Sequence, residues 1–187
     1  MKFHPKTVQS LFQSPLGPIT LAATPLGLTG AWFTDQRHLP PQLAGTSDIW
    51  RHEPDHEVLE EAALQLDQYF AGKRSRFDLP LDLACGTDFQ QAVWQALLTI
   101  PQGETVSYGA ISARIGKPAA VRATGAAIGR NPVSIIVPCH RVIGGTGLLT
   151  GYAGGLHRKT ALLTLEGALI AQCNRQSTLL PVQARML

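Results

Sequence analysis

Cys139, His140 and Arg141 stand consecutively in a chain of 187 residues, with Arg130 a few positions before them. A cysteine attacks as its thiolate, and an ordinary thiol, with a pKa of about 8.5, needs help to ionise at neutral pH. A histidine can take the proton, and a positive neighbourhood stabilises the sulfur anion. Adjacency complicates this picture, because neighbours on a strand point to opposite faces. Contact between Cys139 and His140 needs a turn or a water between them; Pro138 before the pair and the glycines after it fit a turn. The imidazole also needs an orienting acid. Residues 88–187 hold only Asp88, Glu104 and Glu166, and Glu166, late on a final helix that must fold back on the core, is the best placed. By itself, a Cys-His pair more often marks a buried structural cysteine beside a surface histidine. Cys85 and Cys173 have no basic neighbour and read as structural.

Charge distribution adds a second observation. The net charge is +3, but residues 1–87 sum to −3 and residues 88–187 to +6. A basic C-terminal half favours a polyanionic partner there, or is solvated surface charge. Within that half, SYGAISARIG and AAVRATGAAIG read as two short helices joined by a tight turn at Gly116, Lys117 and Pro118. That is the pattern of a helix-turn-helix, or of a structural helical hairpin. The second helix is built of small residues, Ala120 and Gly125 among them, with Arg122 the one long cation inside it. On DNA, small side chains let the backbone dock closely while one arginine reaches in; in a core, they give tight helix packing with Arg122 at the rim. Asn131-Pro132 after it reads as a turn. Tyr108, opening the first of the two helices, offers a phenol that either donates a proton or packs.

The elements that must position these residues follow from pattern. TVQSLFQ, PITLAAT and LTGAWF are strand-like runs split by Pro/Gly turns, so they form antiparallel neighbours. Residues 35–53 lack a period and read as loop. PDHEVLEEAALQLDQYFAG is an amphipathic helix, with Pro54 in its first turn and Gly72 stopping it. Residues 73–87 read as a linker carrying the extended piece FDLPLDL. TDFQQAVWQALLTI is a helix that Thr87 or Asp88 can cap. VSIIVP, rich in β-branched residues, reads as a buried strand leading to Cys139. Gly144 to Gly155 holds six glycines and reads as a mobile or tightly turned loop. LHRKTALLTLEG is a last amphipathic helix, and 171–187 reads as a loose tail. The expected fold is α+β: residues 1–86 form a small antiparallel sheet plus a helix, and 87–170 form a helical domain with the helix-turn-helix.

In combination these pieces resemble the O6-alkylguanine-DNA alkyltransferases, the methylated-DNA–protein-cysteine methyltransferases. Pro138-Cys139-His140-Arg141-Val142 after IIVP matches their active-site signature. Gly-Glu-Thr-Val-Ser-Tyr at 103–108, the Arg122 helix and Asn131-Pro132 match in order and spacing. So do Gly151-Tyr152-Ala153-Gly154-Gly155 and Leu165-Glu166-Gly167. The match is strong over 87–167 and weaker over 1–86, where SPLGP and QLDQYFAG look like bacterial members. The resemblance implies an RNase H-like N-terminal domain and a winged-helix-type element in the C-terminal one. It also implies roles. Cys139 is the alkyl acceptor, His140 works through a water, and Glu166 holds His140. Asn131 bridges the recognition helix and the active-site segment. Arg122 enters the duplex from the minor groove in place of the extruded base. Tyr108 helps turn the nucleotide out and donates a proton to the leaving guanine. The carbonyls of Cys139 and Val142 accept from the guanine amine, and Tyr152 and the Ala153 amide close over the base. Some members have Ser where Ala153 stands; the amide survives that change.

The implied function is stoichiometric transfer of the alkyl group from O6-methylguanine, and also O4-methylthymine, in double-stranded DNA to Cys139. The lesion lies inside a stacked helix and must be flipped out. The thioether product has no good leaving group, and no cofactor motif is present to regenerate the thiol, so each protein reacts once. No zinc is expected, since the N-terminal half offers only Cys85 toward such a site. Three widely spaced cysteines without a disulfide framework, no apolar run long enough to span a bilayer, and no secretory-type N-terminus together predict a cytoplasmic protein with no membrane partner. A monomer is expected, with cooperative binding along DNA left open. The nearest rival is a non-enzymatic alkyltransferase-like lesion-binding protein, which lacks an acceptor cysteine. A helix-turn-helix regulator would need more base-reading side chains than Arg122 and Thr124.

Overall fold

The computed structural model describes residues 1–45 and 50–169. The three strand-like runs form β1 (Val8–Ser14), β2 (Gly17–Thr24) and β3 (Gly27–Phe33), antiparallel in sequence order. A fourth, two-residue strand, β4 (Arg51–His52), pairs parallel to β1 inside a segment expected to be loop, giving the sheet order β3-β2-β1-β4. The helix α1 (Glu57–Phe70) starts three residues after Pro54, with His56 at its N-cap and Glu57 and Glu60 in its first turn. Acids there favour the positive end of the helix dipole. Its Leu59, Ala62, Leu66 and Tyr69 bury against the sheet residues Ile19, Leu21 and Phe33.

The edge strand β3 does not stay open. Leu28 donates its amide to the Pro80 carbonyl (2.8 Å) and accepts from the Asp82 amide (2.9 Å), so the extended piece of the linker lies alongside it. Gly27 permits this approach: its φ is +144°, and a Cβ there would collide with the Pro80 carbonyl. Further along the same edge, Ala31 donates to Pro132 and accepts from Ser134, both at 2.9 Å. An edge strand presents unpaired backbone groups ready for such capture. The N-terminal sheet thus grips directly the segment that leads to Cys139.

The C-terminal part opens with α2 (Asp88–Leu98). Thr87 caps it through a reciprocal capping box: its hydroxyl accepts from the Gln90 amide, and the Gln90 side chain accepts from the Thr87 amide. Thr87→Ala is expected to lower the unfolding free energy by about 1 kcal/mol. Thermal unfolding of the two proteins checks this, with a fall of roughly 2–4 °C expected for a chain of this size. The short strand β5 (Val106–Ser107) leads into α3 (Tyr108–Arg114), capped by the Ser107 hydroxyl, and α4 (Val121–Gly129) follows after a turn at Gly116, whose φ is +70°. The Trp94 indole of α2 donates to the Ala127 carbonyl of α4 (2.9 Å), seating the helix-turn-helix on the core. Strand β6 (Val142–Ile143) pairs parallel to β5, and α5 (Leu156–Leu165) folds back as expected. The architecture is therefore α+β, with a small sheet and helix first and a helical helix-turn-helix part second. The expected tail, 171–187, lies outside the described residues. No helix among the described residues is long and apolar enough to cross a membrane.

Candidate active site

The run VSIIVP is buried but is not a strand. Ile136 donates to Ser134, Val137 to Val133 and Cys139 to Val137, which winds the backbone into successive turns. Ile135 sits at φ +73°, a conformation costly for a β-branched residue. Asn131 holds the turns together: its Oδ1 accepts from the Val133 amide (3.0 Å), and its Nδ2 donates to the Val137 carbonyl (2.8 Å). The β-branched composition was the misleading signal, and the Asn-Pro before it the better one. The chain then enters a single 3-10 turn, Cys139–Arg141, which sends the three side chains in different directions.

Cys139 is 6% exposed. Burial pushes its thiol pKa up, while the Asn131 hydrogen bond to Sγ (3.1 Å) and the charge of Lys159 pull it back. The expectation that Arg141 stabilises the sulfur is thus corrected, whereas Arg130 lines the same cavity as Cys139. Arg141 is turned away and fully occupied elsewhere, and the cation whose field acts on the thiol is Lys159, which sequence reasoning did not single out. Lys159 is completely buried and donates to the carbonyls of Val142 (2.5 Å) and Thr150 (2.6 Å). The Val142 carbonyl, expected as an acceptor for a bound base, therefore already receives one donor.

Of the three acids in this half, Glu166 meets the histidine. Its Oε1 lies 2.9 Å from His140 Nε2, both side chains being fully buried. Arg141 donates to Glu166 through Nε and Nη2, each at 2.8 Å, and to the Ile100 carbonyl through Nη1. The Tyr69 hydroxyl, from α1, donates to the same Oε1 (2.8 Å). Burial raises the Glu166 pKa, but hydrogen bonds from His140 and Arg141 outweigh it and hold the carboxyl down at about 2. Glu166 is therefore a carboxylate and can only accept, so Nε2 of His140 carries a proton. Burial lowers the His140 pKa, which keeps the ring neutral. Its free lone pair is then on Nδ1, which is buried with no hydrogen-bond partner among the described residues. The ring is a neutral base with its basic atom fixed by its carboxylate partner.

A cavity of about 280 Å³ opens onto the thiol, lined by Cys139, Tyr108, Gly125, Tyr152, Ala153 and Arg37 among others. Gly125 matters here because the Tyr108 ring lies against it: a Cβ on Gly125 would touch that ring at 3.6 Å. The Tyr108 hydroxyl donates to the Thr150 carbonyl (3.2 Å), and burial raises its pKa, so it is protonated. The loop of Tyr152 and Ala153 is tightly turned and tied down from both sides. Arg37 donates its amide to the Ala153 carbonyl, and its side chain to the Tyr152 carbonyl. Arg158 bonds the Gly154 and Leu16 carbonyls, pairs with Asp35 and lies over the Phe33 ring. Arg37 and Arg158 were also missed, because each ties this loop to a segment more than a hundred residues away. Arg122 and Ala120 do not line the cavity; they sit at the N-terminal end of α4, where Arg122 is exposed. His140, Asn131 and Glu166 do not line the cavity; Asn131 contacts Sγ, and Glu166 holds the His140 ring. A larger groove of about 730 Å³ lies on the other side of Pro138 and Arg141, and the thiol does not line it.

A recessed thiol followed in the chain by a neutral imidazole base, opening beside the second helix of a helix-turn-helix, fits a thiol that accepts a group presented across that helix. Comparison with known proteins gives the class. Residues 7–83 match the ribonuclease-like domain of 6-O-methylguanine DNA methyltransferase, and residues 88–168 match its DNA binding domain. A methylated-DNA–protein-cysteine methyltransferase of Mycobacterium leprae is 53% identical over 82% of this chain and 88% of its own length. One of Methanosarcina acetivorans is 48% identical over 85% of this chain and 97% of its own. The crystal structure of the Mycobacterium tuberculosis O6-methylguanine methyltransferase superposes with a TM-score of 0.76 at 49% identity, covering 87% of this chain and 93% of that one. The chain belongs to the O6-methylguanine DNA methyltransferase family.

Proposed function

We propose that this protein repairs DNA by direct reversal, moving the methyl group of O6-methylguanine onto Cys139 in a single irreversible transfer. The relatives at about half identity are named for this activity, and a solved neighbour, the Mycobacterium tuberculosis OGT, is in complex with DNA. The observation that carries the reading is the set of groups gathered here: Cys139 lining a base-sized cavity, the adjacent His140 with an Nδ1 that has no partner among the described residues, and a carboxylate fixing that ring. In this reading a water passes the thiol proton to His140 Nδ1. The sulfur attacks the methyl carbon, the C–O6 bond breaks with its electron pair kept by the base, and guanine takes up a proton. The balance is thiol plus O6-methylguanine to S-methylcysteine plus guanine. Tyr108, protonated and at the cavity mouth, is placed to donate to the leaving base, since protonating a leaving group lowers the barrier. Asn131 positions Sγ, Tyr152 and Ala153 cover the base, and Arg122 on exposed α4 fills the stack when the nucleotide leaves it.

Residues 1–86 serve in this reading as the part that grips the active-site segment, and 87–170 as the part that meets DNA and takes the alkyl group. A buried, unpaired Cys139 suits a reducing compartment, hence the cytoplasm. The test is the intact mass of the protein after mixing with duplex DNA carrying one O6-methylguanine. One methyl group per protein, on the Cys139 peptide and absent from Cys139→Ala, is the expected result. Repeated turnover, or lesion binding with no mass change, overturns the proposal.

A further inference from the structure

Glu166 receives four hydrogen bonds, and one of them comes from the N-terminal part of the chain. Oε1 takes Tyr69, His140 and Arg141, and Oε2 takes Arg141 again. Tyr69 is 1% exposed and belongs to α1, far in sequence from every other group of the site. Its ring is held edge-on to Phe70 at 5.4 Å between centroids, and against Phe77 at the same distance, so the hydroxyl has little freedom to leave the carboxylate. From this geometry we infer that Tyr69 is a positioning residue for alkyl transfer, setting through Glu166 how strongly His140 draws the proton of Cys139. The inference rests on the function proposed above and adds to it a control exerted by the N-terminal helix.

The physical argument is a competition for one oxygen. Every donor on Oε1 withdraws negative charge from it, and charge so withdrawn no longer stabilises an imidazolium. The Tyr69 hydroxyl, protonated throughout because burial and the Glu166 charge raise its pKa, is such a competitor. Without it, Glu166 acts more fully on His140, the ring holds a proton to higher pH, and the neutral base becomes scarcer on the acid side. A stronger donor at the same place does the reverse. The other groups facing this cluster are Arg141 and Cys139 of the 3-10 turn, Lys159 of α5 and Tyr152 of the loop. The thiol and the Tyr152 phenol are raised, Glu166 is held at about 2, and Lys159 at about 8. The acid limb of the rate profile therefore belongs to His140 alone.

Single-turnover methyl transfer from duplex DNA carrying O6-methylguanine, followed against pH by intact mass, tests this. For Tyr69→Phe the acid limb should move up by about one pH unit, so that transfer on that limb slows roughly tenfold, while the plateau rate stays within about twofold. Site-specific replacement of Tyr69 by a fluorotyrosine, a stronger donor with the same ring, should move the limb down. This second variant decides the matter if Tyr69→Phe does not fold. Parallel loss of rate at every pH, or an unmoved limb in both variants, means that Tyr69 only packs and overturns the inference. Failure of the unsubstituted protein to take up a methyl group would overturn the proposed function instead.

Discussion

Glu166→Gln is expected to cost about 3–5 kcal/mol of folding free energy, and to slow methyl transfer by roughly a hundredfold or more. Among the described residues the carboxylate is the one ion-pair partner of the buried Arg141, and it accepts from that guanidinium through both oxygens. An amide of the same shape keeps one accepting oxygen but presents N–H groups to donors. Arg141 is then left a buried charge without a counterion, which is the costly way to break a buried pair. His140 loses the partner that fixes its tautomer, so the lone pair no longer stays on Nδ1. Thermal unfolding should show a drop on the order of 10 °C for a chain of this size. The rate loss should persist at temperatures where the variant is fully folded. A variant as stable as the parent would remove the account of the Arg141 pair, and one that transfers at the parental rate would remove the account of the tautomer. The same group gives stability a pH dependence. Its folded pKa, about 2, lies below its ordinary value of 4.5. The stabilisation is therefore complete above pH 4.5 and is lost as pH falls toward 2. The shift corresponds to about 3 kcal/mol, taken from the unfolding free energy across that interval.

Arg122→Ala is expected to slow transfer from duplex DNA about a hundredfold while changing reaction with free O6-benzylguanine by less than about threefold. Unstacking one nucleotide costs a few kcal/mol, and each 1.4 kcal/mol is a factor of ten in rate. Arg122 is exposed at the start of α4 and lines no part of the thiol cavity. In the proposed function its removal leaves the chemistry untouched and takes away only the side chain that fills the vacated stack. A free base needs no flipping and should not register the loss. Single-turnover rates on the two substrates make the comparison, and an equal loss on both would place Arg122 inside the chemical step instead.

Much of the scaffold was legible because local patterns and tertiary structure agree. The three N-terminal strands, α1, the Thr87 cap and the two short helices all rest on signals within a few residues of where they act. Glu166 was legible by elimination, acids being so scarce in residues 88–187. What stayed hidden was set by contacts between distant segments. The turns at Ser134–Val137 replace an expected strand because Asn131 and the β3 edge supply the backbone partners that a sheet would have supplied. Arg141 was misassigned to the sulfur because sequence adjacency implies proximity, whereas the 3-10 turn separates adjacent side chains and Glu166 claims the guanidinium. Lys159, Arg158 and Tyr69 looked like ordinary members of amphipathic helices. Their roles come from which carbonyl or carboxylate lies opposite, and no periodicity encodes that.

The depth at which Cys139 is set also bears on chance damage to the thiol. A protein that reacts once cannot average its losses over turnovers, so each thiol oxidised or alkylated by chance is one repair forfeited. Peroxides and small electrophiles select thiols by exposure and by how much thiolate they hold. At 6% exposure, with burial raising its pKa, Cys139 offers little of either while it waits. In the proposed single-use reaction, that low exposure protects an idle molecule from such losses.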